Sequence, residues 1–307
     1  MIYALGAFDG FHLGHRRLLA RAAEKAAKAG TGWGVLTFDG HPRMLLNRDK
    51  FKLLFTAQER DGIAAALGVP RMEKIRFTRD FAALSPRDFI DFIGGEYPVD
   101  GLVIGENFRF GKARAGTPEV LAELCASRGW TLDVIPPFRM RDKMVSSTET
   151  RGAVMAGEME RAAELLGYPF MISGMVERGD RRGRTLGFPT ANIGTFEGKI
   201  YPPEGVYCAL TFACGQWRSA ALNIGSNPTF EGERKTRCEA HIIGCDEELY
   251  DSPLLLFLVK KIRGEIKFSG AEQLVEQIKT DVSTCASAGK EYMARGKGTL
   301  EKFTAAL

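Results

Sequence analysis

The 307-residue chain is 45% hydrophobic and 26% charged, too apolar for a disordered protein and long enough for two globular domains. Its net charge of +4 is spread evenly, with 24 basic against 21 acidic residues up to Leu166 and 18 against 17 beyond it. Neither half therefore has the clustered basic surface of a general nucleic-acid binder, and no nucleic-acid partner is expected. Six cysteines, at 125, 208, 214, 238, 245 and 285, show no CxxC spacing, which predicts reduced thiols in a cytoplasm and no metal-thiolate site. No apolar run approaches a membrane span and Met1 leads directly into a strand-like run, so a soluble cytoplasmic protein is expected, with no signal peptide and no membrane partner.

In chain order, Ile2 to Ala7 is a short apolar run that reads as a strand. Arg16 to Lys28 is rich in Leu, Ala, Lys and Arg and is closed by Gly30, a helix with a glycine stop. Trp33 to Phe38 reads as a second strand, Ala57 to Leu67 and Pro86 to Ile93 as helices, and Leu102 to Ile104 as a further strand. Strands alternating with helices predict a mostly parallel sheet, whose ligands bind beyond the carboxyl ends of the strands. A helix is expected over Gly152 to Leu166, and Gly167-Tyr-Pro169 then breaks the pattern. The domain boundary is placed there, giving domains 1–166 and 167–307. Beyond it, Phe170 to Val176, Val206 to Phe212, Trp217 to Ile224, Cys238 to Ile243 and Leu254 to Ile262 are strand-like runs between Gly, Pro and Asn turns, the pattern of an antiparallel sheet or small barrel. A helical period returns only over Ala271 to about Ala286.

The segment His12-Leu-Gly-His15 falls where the first strand gives way to the first helix. Free backbone N–H groups and the positive end of the helix dipole gather at such a start, and anions bind there. Two imidazoles three residues apart can then face one anion, although the spacing alone equally suits two surface histidines in a glycine-rich turn. Leu5-Gly-Ala-Phe-Asp-Gly-Phe-His-Leu-Gly-His15 resembles the signature of the HxGH nucleotidylyltransferases, in particular the bacterial bifunctional riboflavin kinase/FMN adenylyltransferase (FAD synthetase) family. Further segments resemble that family in the same order: Thr37 to Arg43, Gly105 to Gly111, Ser146 to Arg151, Gly183 to Asn192, Asn223 to Phe230, Glu239, and Arg263 to Phe268.

The resemblance implies a Rossmann-like α/β N-terminal domain that transfers AMP from ATP to FMN with release of pyrophosphate. It also implies a C-terminal six-stranded antiparallel β-barrel with a terminal helix, which transfers the γ-phosphate of ATP to riboflavin. In the first site it assigns catalysis to His12 and His15, ATP binding to Gly6, Phe8, His12, His15, His41, Ser146, Thr148 and Arg151, and flavin contact to Asn107 and Phe110. Ser146 to Thr148 equally suit a helix N-cap. One position departs from the family pattern, since Gly40 precedes His41 where a proline is usual.

In the second site the resemblance assigns ATP binding to Gly183, Arg184, Gly187, Pro189 and Thr190, Mg²⁺ to Thr190 and Asn192, the catalytic base to Glu239, and flavin contact to Arg263 and Glu265, with Phe268 nearby. Thr190 and Asn192, two apart, can turn the same way in an extended segment. Arg237, Glu239 and His241 would share one strand face and Cys238, Ala240 and Ile242 the other. ATP, riboflavin and FMN are the expected partners, and the oligomeric state is left open. The rival readings are a chain with one active module and a flavin- or nucleotide-binding regulator without turnover. A pure binder needs no base, so the presence of His12, His15, Thr190, Asn192 and Glu239 together argues for the bifunctional enzyme.

Overall fold

The computed structural model describes residues 1–46, 51–179, 183, 186–228 and 234–304. Its contacts divide the chain into two compact units, one of Met1–Leu53 with Arg60–Ser147 and one of Leu54–Glu59 with Thr148–Leu307.

The first unit is built on five parallel strands, β1 (Ile2–Leu5), β2 (Trp33–Asp39), β3 (Met72–Arg76), β4 (Gly101–Gly105) and β5 (Thr131–Ile135), in the order β3-β2-β1-β4-β5. All four residues of β1 are buried, as a central parallel strand covered on both faces must be. The helices connecting these strands are α1 (Leu13–Ala29), α2 (Pro42–Leu46), α3 (Ala57–Ala66), α4 (Arg79–Ala82), α5 (Pro86–Glu96) and α6 (Pro118–Ala126). Their starts follow capping chemistry: Ser85 and Thr117 accept the backbone N–H three residues on, each followed by a proline at the first helical position. One side of the core is a run of aromatic and branched residues, among them Tyr3, Leu36, Phe81, Phe89, Ile90, Leu102, Ile104 and Phe110. After β5 comes a small hairpin, β6 (Arg139–Met140) with β7 (Lys143–Met144).

The sequence reading placed one helix over Gly152 to Leu166. The structure has two, α7 (Ser147–Ala156) and α8 (Met159–Leu166), because Gly157 takes φ +76°, a left-handed conformation that ends the first helix.

The second unit is a closed barrel of β8 (Phe170–Glu177), β9 (Ala191–Ile193), β10 (Gly205–Ala213), β11 (Gln216–Pro228), β12 (Arg234–Ile242) and β13 (Pro253–Arg263), in the order β10-β11-β12-β9-β8-β13. Its ladders are antiparallel throughout, so the six-stranded barrel and its flanking helix are as expected. That helix, α9 (Ala271–Thr304), is twice the expected length. Tertiary burial extends it: Leu300 is 0% exposed, and Phe303 packs 5.4 Å from Tyr168 and 5.1 Å from Phe257.

Residues 54–59 belong to this unit through a buried ion pair. Lys199, 0% exposed, bonds the Glu59 carboxylate and the Leu54 carbonyl, with its ammonium 4.7 Å and 4.9 Å from the ring centroids of Phe55 and Phe170. Glu59 also accepts from Ser173 N and Oγ of β8 at 2.8 Å and 3.0 Å.

The expectation of six reduced thiols is corrected. Cys214, in the β10–β11 turn, and Cys245, after β12, form a disulfide with Cα atoms 6.3 Å apart, while Cys125, Cys208, Cys238 and Cys285 are free and buried. A sequence separation of 31 residues gave no spacing signal. The pair meets because β11 is hydrogen-bonded to both β10 and β12.

Candidate active sites

In the first unit, strand order reverses beside β1, between β2 and β4, and a crevice opens at such a switch point beyond the carboxyl ends of the strands. A cavity of about 260 Å³ lies there, lined by Gly6, Phe8, His12, Gly14 and His15 after β1, Asn107 and Phe108 after β4, Pro136 to Phe138 after β5, and Ser146.

Backbone conformation in the turn after β1 is costly. Phe8 and Phe11 take φ +46° and +40°, and both rings are fully buried and stacked 5.4 Å apart, which holds the strain. His12 is the N-cap of α1: its Nδ1 accepts the His15 backbone N–H at 3.3 Å. The neutral tautomer therefore carries its proton on Nε2, as a donor. The His15 ring stacks on His12 at 3.7 Å between centroids and 18° between planes. Burial, and secondarily the neighbouring His12, hold the His15 pKa well below the ordinary imidazole value. His15 Nδ1 is enclosed without a hydrogen-bond partner beside this cavity.

Of the other residues assigned from sequence, Gly6, Phe8, Asn107 and Ser146 line the cavity. Ser147 Oγ donates to the Asp9 carbonyl at 2.8 Å and ties the start of α7 to the histidine turn. Thr148, exposed, and Arg151 follow in α7 and belong to the second unit. His41 lies outside the lining: its Nδ1 accepts from Arg43 N at 3.1 Å and its ring is 4.4 Å from Phe51. Gly40 before it takes φ +81°, which proline cannot adopt, so the departure at this position gives the turn a different path. Phe110 does not line the cavity. It is 5% exposed and packs on Phe89 at 5.0 Å, whereas Phe108 lines the cavity. Phe110 is bridged to Gly116, and that local pairing turns its ring into the core.

In the barrel, β12 presents Glu239 opposite Asn192 of β9 and Asn223 of β11. Cys238, Ala240 and Ile242 are 5% exposed or less, with Ala240 and Ile242 lining one cavity, and Glu239 and His241 line another, as the alternation between faces predicted. Glu239 Oε1 pairs with Arg237 Nε, and Oε2 lies 3.5 Å from Thr190 Oγ1. Asn192 Oδ1 accepts from Arg237 Nη2 at 3.3 Å. His241, which the motif reading gave no role, has Nδ1 2.8 Å from the Pro189 carbonyl and its ring edge-on to Phe188, and so holds the 186–190 segment against β12.

Two cavities meet at Thr190. One, of about 420 Å³, is lined by Gly183, Phe188, Thr190, Asn223, Glu239, Arg263, Glu265 and Phe268 together with apolar residues of α9. The other, of about 280 Å³, is lined by Pro189, Thr190 and 245–250. That last segment had no sequence signal. Gly187 and Asn192 line neither cavity, and Arg184 lies outside the described residues. The Arg263 guanidinium is clasped by the Asp281 carboxylate of α9, at 3.0 Å from Nε and 2.8 Å from Nη2. Among the described residues no group of three or more His, Cys, Asp or Glu could hold a metal ion.

Two family models match the chain, FAD synthetase over residues 1–149 and riboflavin kinase over residues 166–288. The chain is 36% identical over 285 residues to the bifunctional riboflavin kinase/FMN adenylyltransferase of Bacillus subtilis (strain 168), covering 91% of this chain and 90% of that protein. The chain belongs to the bifunctional riboflavin kinase/FMN adenylyltransferase family. The Escherichia coli (strain K12) member is 35% identical, covering 92% of this chain and 91% of that one. A crystal structure of a macrolide-efflux protein from Streptococcus pneumoniae superposes with TM-score 0.84 at 30% identity, over 92% of this chain and 93% of that one. Among the described residues of this family member, no helix is long and apolar enough to cross a membrane.

Proposed function

We propose that the two units divide the family's two reactions, with the first unit adenylylating FMN to FAD at the histidine turn and the barrel phosphorylating riboflavin beside Glu239. Support for the first assignment is the stacked histidine pair, with the His15 pKa lowered by burial, on a helix start at the sheet's switch point. Charge builds on the α-phosphate during adenylyl transfer, and preorganised donors there lower the barrier more than covalent participation could. His12 Nε2–H and the free N–H groups of the α1 start supply such donors, His15 completes the cradle, and Ser146 adds a hydroxyl. Phe108 and Pro136 to Phe138 offer the flavin ring an apolar wall.

For the barrel, the observation that carries the reading is the meeting of two cavities at Thr190 beside Glu239. The larger, with its apolar α9 wall, suits the flavin, and Thr190, common to both cavities, marks where the nucleotide's phosphates would approach it. Glu239 takes the proton of the flavin's hydroxyl as it attacks the γ-phosphate, and the Arg237 pairing fixes the carboxylate's orientation. Thr190 Oγ1, on both cavities, and Asn192 Oδ1, held by Arg237, are hard oxygen donors, which fits Mg²⁺ arriving with the nucleotide. When bound, the ion would neutralise phosphate charge. A functional boundary at Leu166/Gly167, which differs from the contact division by leaving 148–166 with the adenylylating half, and a cytoplasmic location belong to the same reading.

One experiment separates the parts. Supplied with riboflavin, ATP and Mg²⁺, the parent should form FMN and FAD. Glu239→Gln should lose about 10² to 10⁴ in riboflavin phosphorylation and still convert added FMN to FAD. A His12→Ala/His15→Ala variant should accumulate FMN. Loss of the opposite activity in either variant refutes the division.

A further inference from the structure

Arg60 of α3 is a charged side chain in the interior, 5% exposed, that lines none of the three cavities. Its Nη2 donates to the Phe38 carbonyl at 2.7 Å, and its Nη1 lies 3.5 Å from the Ala7 carbonyl. Those two carbonyls mark where β1 and β2 part. The ladder between the strands runs from Ile2↔Trp33 to Leu5↔Leu36 and closes with Gly6 N donating to Leu36 O at 3.2 Å. Past that bond the first strand enters the histidine turn and the second leads to Asp39, Gly40 and His41. Thr37 Oγ1 reaches the same Ala7 carbonyl at 3.2 Å.

Burial lowers the Arg60 pKa from its usual value, while Asp61, Asp9 and Asp39 act in the opposite sense. Arginine nonetheless stays protonated. An interior cation is expensive, and an apolar side chain of similar volume would fill the space at lower cost. What the guanidinium adds is a planar donor able to serve two carbonyls at once, charge-assisted and directional.

We propose that Arg60 is a positioning residue for adenylyl transfer: it spans the end of the β1–β2 ladder and fixes the histidine turn relative to the Asp39–His41 turn. The inference rests on the histidine turn being the adenylylation site. A misplacement of about 1 Å at a reacting group can cost about 100-fold in rate, and such a shift acts on turnover more than on flavin affinity.

The test uses the full chain as Arg60→Met, Arg60→Lys and, alongside, His12→Ala/His15→Ala. Both FAD formation from FMN and riboflavin phosphorylation are measured in each preparation. Arg60→Met should lose about 10- to 100-fold in kcat for FAD formation, with KM for FMN within about threefold and phosphorylation within about twofold. Arg60→Lys, whose ammonium cannot bridge both carbonyls as a planar fork does, should show an intermediate loss confined to FAD formation. Parental FAD formation in Arg60→Met, or in Arg60→Lys should the Met variant not fold, overturns the proposal. Equal loss of both activities in both variants also overturns it, because the residue would then serve folding alone. FAD formation retained by the double histidine variant overturns the site reading and this inference with it. Its loss there, beside an unimpaired Arg60→Met enzyme, overturns the inference alone.

Discussion

Replacing Glu59 by Gln keeps the shape of the side chain and removes its charge from a place with no water to compensate. Lys199 is fully buried and Glu59 is 4% exposed, so the ammonium is left facing a neutral amide. Breaking a buried pair from one side costs about 3–5 kcal/mol. The Leu54 carbonyl and the faces of Phe55 and Phe170 still attract the cation, and a desolvated cation–π contact retains up to about 2 kcal/mol. The loss should therefore fall at the lower end, about 3 kcal/mol. Adding Lys199→Met leaves no unpaired buried charge, so the double variant should recover most of the deficit. Urea unfolding of the full chain, followed by Trp217 fluorescence after Trp33→Phe and Trp130→Phe, isolates the barrel, where Trp217 packs 5.5 Å from Phe257. A Glu59→Gln loss below about 1 kcal/mol, or a double variant less stable than the single, would refute the reasoning. The same logic bears on a 167–307 fragment, which keeps Lys199 and Glu239 but lacks Glu59, and should fold better with Lys199→Met than without it.

Two further outcomes follow from the first unit. Because the His15 pKa is lowered on folding, the unfolded chain binds more protons below about pH 6.5. Stability from this group is thus present above that pH and lost as pH falls, so calorimetry should show a steeper acid-side drop in Tm for the parent than for His15→Asn; equal slopes would contradict the assignment. Gly40→Pro imposes φ near −65° where the chain has +81°. It should lower FAD formation and spare phosphorylation, and an unchanged FAD rate would show that this turn does not serve the site.

Periodicity and motif order made the alternation of the first unit, the barrel and the histidine turn legible, because each rests on residues close in sequence. The edge strands β3 and β5 were missed: as edge strands their mixed burial leaves no apolar run, and only Ile75 is fully buried in β3. The bond between Arg60 and Phe38 crosses 22 positions, and that between Lys199 and Glu59 crosses 140. Neither leaves a local pattern. Phe110 and Phe108 were indistinguishable as two aromatics in one loop, and only the bridge to Gly116 decided which faces the cavity.

The early segment Leu54–Glu59 also has a consequence for biosynthesis. Leu54 and Phe55 are buried in the second unit, against groups that follow more than a hundred residues later. At about 5–20 residues per second, Lys199, 140 positions on, leaves the ribosome roughly 7–28 s after Glu59. During that interval the first unit can close around its own sheet, yet an apolar stretch in its midst stays unsatisfied and exposed to chaperones or to neighbouring nascent chains. Slow translation between these two points should therefore favour aggregation, and a destabilised barrel should expose a hydrophobic segment encoded in the opposite half of the gene.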